Sequence, residues 1–88
     1  MMIPTVHLNG TAKENLLSEL HAAFIAVQAA IDQLRQVTVH GRDYYPQGVH
    51  AFPQARAEMD ARLRSLEKTR DDLMVMHAGI RDQGRGPG

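Results

Sequence analysis

Apolar residues in the first half of the chain recur at helical spacing. Leu17, Leu20, Phe24, Val27, Ile31 and Leu34 follow one another at intervals of three and four. That order puts them on one stripe of an α-helix, the heptad seam of a helix that packs lengthwise on another. Ala22, Ala23, Ala26, Ala29 and Ala30 flank the stripe, and such small side chains let a second helix approach closely. A helix is predicted over residues 11–38. Thr11 followed by Glu14 reads as a capping box, the hydroxyl accepting from the N3 amide and the carboxylate reaching back to the N-cap amide.

A second stripe runs through Met59, Leu66, Leu73 and Ile80, one residue every seven, with Leu63, Met76 and Ala55 filling in. Arg62, Thr69, Arg70 and His77 interrupt its second row. Opposite charges at i, i+4 decorate the outer face: Arg56–Asp60, Glu58–Arg62, Asp60–Arg64 and Lys68–Asp72. Each such pair adds about 0.2–0.5 kcal/mol. A helix is predicted over residues 53–83, with Pro53 at the first position, where its missing amide costs nothing. Gly79 costs about 1 kcal/mol relative to Ala inside a helix and marks a point where the helix can end.

Between the helices lies the linker 39–52, punctuated by Gly41, Pro46 and Gly48, so no helix is expected to run through it. Before the first helix, residues 1–10 form a short arm. Its Val6 and Leu8 alternate with polar neighbours in a faint strand pattern, and Asn9-Gly10 signals a turn. Residues 84–88 read as a flexible tail. The expected fold class is all-α: an antiparallel two-helix hairpin with an N-terminal arm. Helices of this length are about 40–45 Å long, and one hairpin leaves much of both stripes in water. Self-association into a helical bundle is therefore expected, with Leu17, Leu20, Phe24, Val27, Ile31, Leu34, Met59, Leu66 and Leu73 as its core. Self is the first partner.

Composition narrows the function. Eighty-eight residues allow one domain and exclude two-domain dehydrogenases and barrel enzymes. Ten basic side chains balance ten acidic ones, so the electrostatic footprint of a nucleic-acid binder is absent. Cys is absent, which removes disulfides, thiolate zinc sites and a cysteine nucleophile. No apolar stretch approaches the roughly 18 residues of a membrane span, and the first residues lack the basic and apolar regions of a signal peptide. A cytoplasmic location is expected, that of the host cell if a phage encodes the chain.

Catalytic patterns are wanting. His7, His21, His40, His50 and His77 form no His-Glu-x-x-His set, and no Glu-x-x-His pair suits a carboxylate metal bundle. Ser18 and Ser65 lie within helices without a nucleophile elbow, and no phosphate-binding glycine motif occurs. Met59, Met74 and Met76 read as core filler. The arginines of the second helix are interleaved with carboxylates and read as a solvated face. No enzyme activity, cofactor or metal is expected.

The linker has more chemistry than a connection requires. At 14 residues it exceeds the roughly 2–8 of ordinary helix–helix connections. Within Gly41–Gly48 stand Arg42 and both tyrosines of the chain, Tyr44 and Tyr45, with His40 and Gln47 beside them. A phenol offers a flat face and a hydroxyl, a guanidinium a planar fork for phosphate or carboxylate, and glycines let backbone amides approach a ligand. These are the parts of a nucleotide-like anion site, and His40, Arg42, Tyr44, Tyr45 and Gln47 are the candidate ligand-binding residues. In the other reading the loop caps the bundle: a tyrosine plugs the apolar mouth, and Arg42 pairs with Asp43 or a helix C-terminus.

The stretches Ile3-Pro-Thr-Val-His-Leu-Asn-Gly-Thr11 and His40-Gly-Arg-Asp-Tyr-Tyr-Pro-Gln-Gly48, each leading into a helix, resemble small helical proteins of tailed phages and prophages. The resemblance spans nearly the whole chain and implies a phage setting without an activity. Phages also encode small oligomeric helical proteins that sequester cyclic-nucleotide signals of bacterial immunity. This chain is similar to those in size and helical design alone, so an anti-defence role rests on analogy. The expected function is a non-enzymatic oligomeric binding protein that sequesters a small anionic, nucleotide-like ligand. The alternative is a protein–protein module, a phage adaptor or inhibitor, whose loop and arm contact a host protein.

Overall fold

A computed structural model of the chain describes residues 1–6 and 10–83, the side chains of residues 10 and 11 excepted. It is all-helical there. Helix α1 spans Gly10–Arg35, a 3-10 segment spans Gly41–Gln47, and helix α2 spans Ala51–Arg81. Cross-helix partners run in opposite order along the two helices. The Lys13 ammonium donates to the Gln83 backbone carbonyl, Arg70 donates to Gln28, and Arg35 faces Glu67. The hairpin is antiparallel.

The apolar stripes meet as their spacing requires. Leu17, Leu20, Phe24, Val27 and Leu34 of α1 are half-buried, as are Met59, Leu63, Leu66, Leu73 and Met76 of α2. Among the described residues, only Ile31 and Ile80 are fully buried. The flanking alanines Ala22, Ala23, Ala26, Ala29 and Ala30 are exposed. The molecule is a rod of 63 × 19 × 18 Å with a radius of gyration of 19.3 Å, against about 12 Å for a compact domain of this length. Two packed helices enclose few side chains from all directions, so most of the seam keeps one edge in water.

Arg70, which breaks the stripe of α2, is used. Its side chain is 21 % exposed, and its guanidinium donates to the Gln28 carboxamide oxygen at 3.0 Å, while its Nε donates to Asp71. The Gln28 amide in turn donates to Asp32. This polar crosslink sits mid-rod and ties the two helices in one register. Of the four i, i+4 charge pairs, Glu58–Arg62 closes at 4.0 Å and Lys68–Asp72 at 2.8 Å. Among the described residues no ion pair joins Arg56 to Asp60 or Asp60 to Arg64.

Element ends differ from the sequence expectation. Helix α1 stops at Arg35, short of Thr38, and closes with i→i−3 bonds from Gln36 to Gln33 and from Val37 to Leu34. The β-branched run Val37-Thr38-Val39 loses side-chain freedom in a helix, so the turn is released there. Helix α1 opens at Gly10, and the Thr11 side chain of the expected capping box lies outside the described residues. Helix α2 opens two residues before Pro53. Its first intrahelical amide is that of Gln54, donating to His50, so Pro53 occupies a first-turn position whose amide has no partner to lose. The linker is not wholly non-helical, because residues 41–47 wind into the 3-10 segment. Helix α2 ends at Arg81, not Gln83.

The arm forms no strand: residues 1–6 have no regular secondary structure, and residues 7–9 of the expected alternation lie outside the described residues. Instead the arm lies on the end of α2. Ile3 packs over Gly79 so closely that a Cβ added there would stand 2.8 Å from its terminal methyl. The Gln83 carboxamide grips the arm backbone twice. It accepts from the Val6 amide at 2.9 Å and donates to the Pro4 carbonyl at 2.6 Å. Among the described residues, no helix is long and apolar enough to cross a membrane.

Candidate binding site at the hairpin tip

The 3-10 segment begins where the Asp43 amide donates to the His40 carbonyl, and it ends at Gly48, whose amide donates to Tyr45. Gly48 has φ 107°, a left-handed conformation that side chains resist. The chain turns there into α2, so this glycine answers a backbone demand. Gly41 has another task. Its Cα lies against the Phe52 ring, which a Cβ would meet at 3.6 Å.

The segment folds back on the first turn of α2 and leaves a concavity of about 510 Å³. Arg42, Tyr44 and Tyr45 line it together with Phe52 and Val49. Tyr44 is half-buried, its ring 6.5 Å from that of Phe52 at a tilt of 37°. Tyr45 is 84 % exposed and Val49 86 %. Arg42 is exposed and, among the described residues, makes no hydrogen bond or ion pair. The expected alternative pairing with Asp43 is not formed.

The sequence candidates therefore divide. Arg42, Tyr44 and Tyr45 share one concavity. His40 precedes the segment and Gln47 closes it; neither lines the cavity. Tyr44 has a packing role, and Tyr45 is free to meet a ligand. Phe52, Val49 and Pro53 were not among the sequence candidates. Phe52 was nonetheless legible: it extends the row Met59, Leu66, Leu73, Ile80 back by seven. Among the described residues, no group of three or more His, Asp or Glu converges as metal ligands.

The cavity offers aromatic faces and one cation, unpaired among the described residues, with no carboxylate, imidazole or alcohol other than the phenols on its wall. Such a lining can stack a flat ring and hold an anion; it contains no nucleophile–base pair. No family model, curated protein or solved structure matches the chain.

Proposed function

We propose that the protein is a non-enzymatic, self-associating binding protein whose hairpin tip takes up a small anionic ligand with a flat ring, nucleotide-like in chemistry. One observation carries this reading: Arg42, unpaired among the described residues, lines the same 510 Å³ concavity as the exposed Tyr45. Its volume falls within the usual range for small-molecule sites, about 300–1,000 Å³. The cation supplies charge-assisted hydrogen bonds to phosphate, and the phenol a stacking face. Sequestration needs nothing more than this, and it accords with the phage or prophage setting that the sequence resemblance implies.

A second reading has its own support. Tyr45 and Val49 stand out from the tip as two neighbouring, largely exposed apolar side chains, the kind of anchor that a protein partner buries. In that case the tip is the contact surface of an adaptor or inhibitor. Native mass spectrometry of protein purified from cells, followed by calorimetric titration with mono-, di- and cyclic nucleotides, separates the two. A co-purified nucleotide, with affinity lost in Arg42→Ala, supports the first. Silence toward every nucleotide, with one host protein retained through Tyr45, replaces it with the second.

A further inference from the structure

The rod carries more surface than its mass explains. It exposes 6732 Å², whereas a compact monomer of 9.8 kDa exposes about 5,200 Å². The surplus of about 1,500 Å² exceeds the roughly 800 Å² that each partner contributes to a stable interface. The question is which face is closed.

Heptad rows answer it. His21, Gln28 and Arg35 recur every seven residues on α1, and Asp60, Glu67, Met74 and Arg81 do so on α2. Each row stays on one side of its helix, and the pairing of Arg35 with Glu67 shows that the two rows border the same flank. Toward the tip this flank is polar, held by Arg35–Glu67 and Gln28–Arg70 and bordered by Arg56 and Asp60. Toward the termini it opens into a groove of about 400 Å³ whose apolar wall is Leu20, Phe24, Leu73, Met74 and Ala78. Met74, on its rim, is 55 % exposed, and Ile25, next to Phe24, is 53 % exposed. His21, His77 and Arg81 also line the groove, but Arg81 is already paired with Asp82 at 3.1 Å. The opposite flank presents Ala23 and Ala30 against the polar row of Glu58, Arg62, Ser65 and Thr69.

We propose that a second copy of this chain closes the groove formed by Leu20, Phe24, Leu73, Met74 and Ala78, groove on groove about a two-fold axis. This names the face for the self-association in the reading above and rests on that part of it alone. A two-fold contact uses the same patch on both copies. Met74 then lies near its counterpart, and the half-exposed seam next to it becomes the core of a four-helix assembly.

Sedimentation equilibrium of the full chain without nucleotide tests the proposal. The wild type is expected to be a dimer or a multiple of it, and Ala30→Glu, on the other flank, to match it. Met74→Glu puts two like charges at the dyad and raises the dissociation constant about a hundredfold or more. A monomeric wild type overturns the proposal together with self-association itself. An assembly that survives Met74→Glu but is split by Ala30→Glu overturns the face and leaves self-association standing. Should Met74→Glu fail to fold, Met74→Cys decides, since the chain has no other thiol. Rapid coupling into a covalent dimer by a short bis-maleimide supports the face, and absence of coupling in an associated sample refutes it.

Discussion

Replacing Gly79 with alanine sets two effects of opposite sign against each other. In an exposed helix interior the change stabilises by about 1 kcal/mol, because glycine loses more backbone freedom on folding. Here the new methyl would stand 2.8 Å from the Ile3 terminal methyl and 3.2 Å from its branch methyl. One contact can be relieved by a rotamer change; two on a β-branched side chain require the arm to lift. The arm's hold is modest. Ile3 is 38 % exposed, so its partial burial contributes about 1–2 kcal/mol. The two bonds to the Gln83 carboxamide contribute about 0.5–1.5 kcal/mol each. Ordering the arm residues opposes these gains, so the docking is weak and a clash suffices to reverse it. Gly79→Ala should therefore free the arm while the helices hold or gain. Hydrogen exchange reads this directly: the Val6 amide loses its protection, amides in the middle of α2 do not, and the melting temperature stays level or rises. In a double-mutant cycle, Ile3→Ala should make Gly79→Ala more favourable by about 1 kcal/mol. A Val6 amide that stays protected in Gly79→Ala, or a melting temperature that falls despite Ile3→Ala, would refute the docking argument.

Other changes are graded by burial and by partner. Ile31→Ala and Ile80→Ala, at fully buried positions, should each cost about 2–5 kcal/mol in urea unfolding; a loss below about 1 kcal/mol would mean that the core lies elsewhere. Val75→Ala, at a position 54 % exposed, should cost less than either under the same assay. Arg70→Leu restores the apolar stripe at the expense of the Gln28 bond, so its unfolding free energy should stay within about 1 kcal/mol of wild type; a larger loss would show that the polar crosslink stabilises the fold. At the tip, Tyr44→Ala removes the ring packed on Phe52 and should lower the melting temperature, whereas Tyr45→Ala should leave it unchanged. If nucleotides bind, Tyr45→Ala and Arg42→Ala should weaken them in calorimetry by about 1–3 kcal/mol each; full affinity in both would place the ligand elsewhere.

The chain by itself determined the two helices and their apolar stripes. These follow from spacing alone: Leu17 to Leu34 and Met59 to Ile80 recur every three, four or seven residues, and a helix turns such a list into a face. It also singled out the tip loop, since Pro46 and two glycines interrupt helical periodicity there. Contacts between residues far apart in the chain were decided only in three dimensions. Gly79 looked like a helix end because its helical cost is local, while the reason for it, Ile3 lying across its Cα, is 76 positions away. Gln83 looked like the last residue of the second helix, yet its carboxamide holds the arm. Arg70 looked like a defect in the stripe until Gln28 of the other helix supplied its acceptor. At the tip, composition named Arg42, Tyr44 and Tyr45, but their separation into a packed ring, an exposed ring and an unpaired cation came from the 3-10 segment folding back on Phe52. Periodicity reports which residues share a side of one element; what that side meets depends on how the elements are placed.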